Sequence, residues 1–348
     1  MVSISVITPT ARDDYSILGQ SHLHYLDPTM KSLAKQSFKD FELVIVDALH
    51  VSRDYDFSGL PFPVKHIPVH PGHRFWLDRK RWSVCAYLNT GIIYSEGELI
   101  VRIDDCSEFD SGYLERCWEK YLDGGFLLGM HNRYHAGKPA RINKEYLEEG
   151  YESKYSETFE PVEKAEFLKR LYGEGGLVRD SRFPLVEASG GQMTAFRNWM
   201  YGYSSFSLDA ALKVNGFDEN FDGDKSIEDQ DFGNRLWIAG YRDMFLLDVN
   251  HTVIEHEHNS IPEEVITQGL KPIKCNYALY LINERRGRFR ANVDDLTEDD
   301  YRFVVKESLK PPCSPQSSFY EDDCAGELFR LWKDRRPDFD LREERVGI

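Results

Sequence analysis

Ser32-Leu33-Ala34-Lys35-Gln36-Ser37-Phe38-Lys39-Asp40-Phe41-Glu42-Leu43-Val44-Ile45-Val46-Asp47 decides the fold. Met30, Leu33 and Ala34 stand at helical spacing, and the run from Phe41 is then almost continuously apolar until it ends on an acid. A strand apolar on both faces is covered on both faces, which is the situation of a parallel sheet flanked by helices. Towards the N-terminus, Ser3-Ile4-Ser5-Val6-Ile7-Thr8 reads as a strand stopped by Pro9. Towards the C-terminus follow a third strand over Val64 to Ile67, a helix over Trp82 to Tyr94, and a strand from Glu98 to Ile103 running into Asp104-Asp105. The pattern β-α-β-α-β-α-β predicts an α/β protein.

The rest of the chain changes character. Residues 138–174 are rich in Glu, Lys and Tyr without strand alternation and read as an acidic insertion. Past Gly190-Gly191 the pattern predicts a strand at Gln192 to Phe196, a helix near Leu208 to Val214, a helix from Glu228 to Ala239, and two strands, Met244 to Leu247 and His251 to Glu255. Beyond Ile261 the chain reads as helical, interrupted by Lys310-Pro311-Pro312-Cys313-Ser314-Pro315 before a last short helix near Ala325 to Trp332.

Composition excludes several classes. With 348 residues, 41% of them hydrophobic, the chain can bury one large or two modest cores. A formal charge of −16 repels polyanions, so no nucleic-acid partner is expected. No apolar run approaches the ~18–20 residues that span a bilayer, and Met-Val-Ser-Ile-Ser lacks the basic and apolar regions of a secretory signal. A cytoplasmic protein is expected, with peripheral membrane contact and self-association left open. The 6 cysteines lack Cys-x-x-Cys spacing and read as reduced and structural.

In open α/β sheets the ligand sits beyond the carboxyl ends of the strands. Here those positions hold Thr8-Pro9-Thr10, Asp47 and Asp104-Asp105, a set suited to a nucleoside with hydroxyl or imide donors and a cation. Each acid could equally cap the helix or turn that follows it. Among the remaining candidates, Arg79-Lys80-Arg81 could supply positive charge or be a solvated turn. Gly190-Gly191 suits a backbone that passes close to a ligand or takes positive φ. In Glu255-His256-Glu257-His258 the alternation puts both imidazoles on one face.

Taken in order, Ser5 to Thr10, Ser32 to Asp47, Asn89-Thr90-Gly91-Ile92 and Gly97 to Ile100 resemble the donor half of family 2 glycosyltransferases with the GT-A fold. Gly190-Gly191, Val214-Asn215-Gly216-Phe217-Asp218-Glu219, Glu228-Asp229-Gln230-Asp231-Phe232 and Arg235-Leu236 resemble the acceptor-side segment that this family shares with galactosyltransferase-like enzymes. The resemblance covers about residues 3–260. It implies a GT-A (Rossmann-like), mixed, mostly parallel sheet flanked by helices, occupying 1–260, with a nucleotide-sugar half over 1–110, the insertion over 138–174 and an acceptor half over 186–260. A mainly helical C-terminal extension over 261–348 completes the expected layout.

The resemblance further implies that Thr8, Pro9 and Thr10 line a nucleotide pocket with Arg81, Gly190 and Gly191, and that Asp47 accepts from the base. Asp104-Asp105-Cys106 falls where the family carries Asp-x-Asp, which holds the ribose and a divalent cation, Mn²⁺ or Mg²⁺. The sequence departs there, because Cys106 is a softer ligand than the usual carboxylate. Asp104, Asp105, Cys106 and a late histidine, His256 in preference to His258, form the expected metal set. Asp229, with Glu228 beside it, is the implied base that deprotonates the acceptor hydroxyl with inversion, though a retaining outcome stays open.

The expected activity is therefore transfer of a sugar from a nucleoside-diphosphate donor, UDP-linked before GDP-linked, to a glycan or lipid-linked acceptor. Two other classes stand beside it. One is a catalytically impaired binding or scaffolding protein of the same fold, motivated by Cys106. The other, a sugar nucleotidyltransferase, requires a glycine-rich loop after strand 1 that Thr8-Pro9-Thr10-Ala11-Arg12-Asp13-Asp14 does not contain.

Overall fold

The computed structural model describes residues 2–11, 26–52, 56–134, 177–197, 199–200, 202–223, 227–256, 273–308, 334–335 and 337–346. Its strands are β1 (Ile4–Thr10), β2 (Phe41–Asp47), β3 (Val64–Pro68), β4 (Leu99–Arg102), β5 (Ser107–Phe109), β6 (Phe126–Tyr134), β7 (Leu177–Val178), β8 (Gln192–Thr194), β9 (Ser204–Ser207) and β10 (Phe245–Glu255). They join in one sheet of order β3-β2-β1-β4-β9-β6-β10-β5, with β7 on β6 and β8 on β10. β3, β2, β1 and β4 are mutually parallel, β9 runs antiparallel between β4 and β6, β10 is parallel to β6, and β5 closes the order antiparallel. The sheet is thus mixed but mostly parallel.

The helices are α1 (Asp27–Ala34), α2 (Val84–Tyr94), α3 (Tyr113–Leu122), α4 (Phe183–Ala188), α5 (Leu208–Lys213), α6 (Glu228–Ile238), α7 (Ile273–Arg286), α8 (Glu298–Ser308) and α9 (Leu341–Val346). β2 is buried at every position, as its uninterrupted apolar run requires. α2 is buried on almost all sides against β1 and β2. A Cβ on Gly91 would lie 2.5 Å from Ile7 Cγ2, so the glycine permits this close approach of helix to sheet. Ser83 makes no side-chain cap to α2. Asp222, remote in sequence, accepts from the backbone N–H groups of Cys85 and Ala86 at 2.9 and 3.0 Å instead.

Two sequence expectations are corrected. Pro9 does not stop β1, which continues to Thr10 in register with Asp47. Ile7 bonds towards β4, through Ile103 N–H, so Pro9 faces the same side, beyond the last paired residue Arg102, where no ladder donor is required. The two late strands are one, β10, whose register against β6 shifts between Leu247 and Thr252; the intervening Asp248-Val249-Asn250 segment is absorbed as an irregularity. The 138–174 insertion, the proline-rich segment, the helix near Ala325 to Trp332 and His258 lie outside the described residues. Among the described residues no helix is long and apolar enough to cross a membrane. Cys85, Cys106 and Cys117 are buried and unbridged.

Candidate active site

The strand order reverses between β1 and β4, and the ends of these two strands bring Thr10 against Asp104-Asp105. Thr10 Oγ1 donates to Asp105 Oδ2 at 2.9 Å, and both residues are buried. Thr8, on the same face of β1, is fully enclosed, and its hydroxyl has no hydrogen-bond partner among the described residues. Asp104 remains partly open, its side chain 39% exposed. Its backbone carbonyl accepts from Ser107 Oγ at 2.6 Å, which fixes the turn after β4.

Asp104 belongs to a group of interacting charges. Burial raises its pKa, Glu255 and Asp105 add to the rise, and Arg102 and His131 oppose it. Arg102 is buried, with Nη2 3.9 Å from Asp104 Oδ1 and with Nε and Nη1 lacking hydrogen-bond partners among the described residues. His131 on β6 is held by Asp180, Nδ1 to Oδ2 at 3.2 Å. Asp180 is in turn clamped by Arg182 at 2.6 Å, and Arg182 donates to the carbonyls of Trp199 and Gly129.

Asp229 is half-buried in the first turn of α6, and Glu228 beside it is buried. The pKa of Asp229 is raised to about 7, first by burial, then by the charge of Glu228, with Asp104 contributing. Arg102 and a 2.7 Å hydrogen bond from Gln230 N–H work the other way. The helix N-terminus alone would stabilise the anion. Burial and the neighbouring carboxylates win, leaving an acid poised to exchange a proton near neutrality. Ile227, which opens the helix, takes φ 79°, a left-handed conformation costly for a β-branched residue. Asp231, third in the acidic run, is committed to Arg235 at 2.6 Å and Asn283 at 2.8 Å, a packing role.

At the end of β2, Asp47 is fully buried and accepts from Leu49 N–H at 2.8 Å, with His66 Nε2 2.9 Å from its other oxygen. The His66 ring lies between those of His50 and Phe57, at 4.6 and 5.6 Å. Arg81 is half-buried, and its Nη1 has no hydrogen-bond partner among the described residues. Gly190 and Gly191 have φ 91° and 95° and terminate α4, their N–H groups reaching back to Glu187 and Val186. Helix termination therefore accounts for the positive φ of the pair.

Among the described residues the expected metal donors Asp104, Asp105, Cys106 and His256 do not converge, and His258 lies outside those residues. Asp105 is engaged by Thr10, Cys106 is fully buried, and its backbone carbonyl accepts from His256 N–H at 3.0 Å. His256 Nε2 lies 2.8 Å from Glu108 Oε2, away from Asp104 in bonding terms. Among the described residues, Asp104, Asp105, Cys106 and His256 supply no three ligand atoms within 4.8 Å of one another. This donor set does not fit a cation held by the protein alone.

The Asn89 and Asn215–Glu219 motifs interlock. Asn89 donates to Phe217 O at 2.9 Å and accepts from Phe217 N–H at 2.8 Å. A Cβ on Gly216 would collide with Asn89 Oδ1. Asp218 is paired with Arg288 and Glu219 with His73 and Arg335. These acids hold the fold around the site. Arg102, His131, Asp180, Arg182 and Gly202 were not singled out from the sequence. Only Arg102 carried a signal, as a charge within the apolar run Leu99-Ile100-Val101-Arg102-Ile103.

The sheet order, with its acids at the switch point, defines a mixed α/β protein with a candidate site at the carboxyl ends of β1 and β4. The chain is similar to the crystal structure of S. aureus TarS 1–349 in complex with UDP-GlcNAc, at 13% identity and TM-score 0.47 over 88% of this chain and 71% of that one. The corresponding complex with UDP gives 14% identity and TM-score 0.44 over 88% and 70%. A mycobacterial protein gives 11% identity and TM-score 0.39 over 83% and 76%. No protein-family model and no curated protein matches the chain.

Proposed function

We propose that this protein is a glycosyltransferase that moves a sugar from a nucleoside-diphosphate donor, UDP-linked before GDP-linked, to a hydroxyl of a glycan or lipid-linked acceptor. The observation that carries the reading is that Asp229, Glu228, Arg102 and Asp104 form one electrostatic group beside the switch point of a GT-A-type sheet. The ordered motifs of the sequence support the same assignment.

In this reading the Asp229 carboxylate takes the proton of the acceptor hydroxyl, the oxygen forms a bond to the anomeric carbon, and the bond from that carbon to the diphosphate breaks with inversion. The leaving diphosphate carries away the electron pair. Glu228 tunes Asp229, while Arg102 holds positive charge beside Asp104. Thr10, Asp104 and Asp105 bind the ribose side, and Asp47 with His66 borders the base. Arg81, Gly190 and Gly191 remain donor-side candidates of the proposal. Because the metal donors do not converge, no step is assigned to a cation.

A second reading, a binding or scaffolding protein of this fold, is favoured by the burial of Cys106 at the position where a ligating carboxylate is expected. Thermal-shift titration with UDP, GDP, CDP and dTDP, each with EDTA, Mg²⁺ or Mn²⁺, followed by donor hydrolysis, separates the two. A shift with one diphosphate together with turnover of its sugar supports the transferase. Binding without turnover, or no shift with any nucleotide, counts against the transferase and favours the scaffold.

A further inference from the structure

The loop after β3 and the C-terminal helix α9 carry a cluster that the transferase reading does not use. His70, His73 and Glu344 each present a ligand atom within 4.8 Å of the others. His73 is fully buried, whereas the Glu344 side chain is 24% exposed and leaves an entry path. His73 Nε2 lies 2.9 Å from Glu344 Oε2, and its other nitrogen, Nδ1, is bonded to the buried Glu219 carboxylate. Glu219 is itself fixed by Asn89 Nδ2 at 3.2 Å, by Arg335 at 2.7 Å and by Asn292, which accepts from its N–H at 2.9 Å.

A carboxylate on one imidazole nitrogen fixes the tautomer and ring orientation and raises the basicity of the other nitrogen. It is the support that metal-bound histidines characteristically have. We propose that His70, His73 and Glu344 form a zinc site, with Glu219 orienting His73 and solvent in the fourth position. Two imidazoles and one carboxylate suit Zn²⁺ better than Mg²⁺ or Ca²⁺, which prefer oxygen.

The movements required are small. Ligand atoms about 2.0–2.2 Å from a tetrahedral ion lie roughly 3.3 Å apart. His73 and Glu344 must therefore separate by only a few tenths of an ångström. His70 must swing inwards from a position where its ring packs 5.2 Å from that of His73 and accepts a long 3.3 Å contact from Gly72 N–H at Nδ1. Glu344 and His73 are 271 residues apart, so the ion would bind the folded chain far better than the unfolded one and would tie α9 to the loop after β3. This inference is independent of the transferase reading.

The test uses the full chain after chelator treatment, titrated with Zn²⁺ alone against a chromophoric chelator. Binding of one equivalent is expected, with a rise in Tm that saturates at the same ratio. His70→Ala and Glu344→Gln should each weaken binding by roughly tenfold or more and remove the Tm rise. Glu344→Gln keeps an acceptor for His73, and His70→Ala removes a loosely held ring, so both variants should fold, as far-UV circular dichroism would verify. Asp104→Asn should leave the zinc stoichiometry unchanged. Absence of stoichiometric binding, or binding that survives both variants, would overturn the site. Loss on Asp104→Asn instead would assign the metal to the cleft and equally refute it.

Discussion

Gly202 lies directly against Asp104: a Cβ at position 202 would stand 2.5 Å from Asp104 Oδ2. Asp104 keeps its present side-chain position only because position 202 carries no side chain. Gly202→Ala should push that carboxylate aside while leaving the sheet intact. We expect kcat/KM for glycosyl transfer to fall about tenfold to a hundredfold, with little change in Tm. Unchanged kinetics would remove Asp104 from the chemistry.

The raised pKa of Asp229, about 7, fixes the sign of a pH dependence. In its proposed role as base, Asp229 acts when ionised, so kcat/KM should climb with pH and level off above about 7. Glu228→Gln removes a like charge and should move that limb to lower pH, while Asp229→Asn should cost roughly a hundredfold or more. Stability runs the opposite way. A folded pKa above the unfolded value of about 4 means that native stability is lost as pH rises between the two. Asp229→Asn should therefore be more stable than the parent near pH 8, by on the order of 1–2 kcal/mol, in urea unfolding.

Asp180 shows the reverse linkage. Although burial works against the anion, Arg182 and His131 hold its carboxyl well below the usual carboxylate range. Its stabilisation is complete above about pH 4 and is lost as pH falls through the depressed native value. Asp180→Asn strands the buried Arg182 charge and should cost about 3–5 kcal/mol at neutral pH, with the gap to the parent narrowing in acid. Equal chevron or urea midpoints at neutral pH would refute this role.

Thr8 and Thr10 share one face of β1 but should respond differently. The enclosed, unpartnered Thr8 hydroxyl carries a desolvation cost, so Thr8→Val should stabilise the free protein by about 1 kcal/mol and leave nucleotide affinity within about twofold. Thr10→Val should release Asp105 and weaken nucleotide binding several-fold, as read by calorimetry.

Much of the sheet was legible because β2 and β4 are nearly continuous apolar runs whose period and length admit little else. Pro9 misled because proline reads as a strand breaker, and only the position of β4 shows that its missing N–H faces no acceptor. The site was legible in part. Acids at strand ends and at a helix start stand out in sequence, but Cys106 and His256 entered the metal set by motif position alone, and their burial and hydrogen bonds direct them elsewhere.

The sequence by itself determined the alternation of strand and helix, the acids at the strand termini, and the glycine and asparagine pattern of the 215–219 turn. Those features are local, set by side-chain period and backbone preference. Only the tertiary structure decided which acid titrates near neutrality, since Glu228, Asp229 and Asp231 differ through partners more than 50 residues away, such as Asn283 for Asp231 and Arg102 for Asp229. It likewise decided that His73 meets Glu344 from the far end of the chain. A charge responds to everything within several ångströms, whatever its separation along the chain, and those distances exist only after folding.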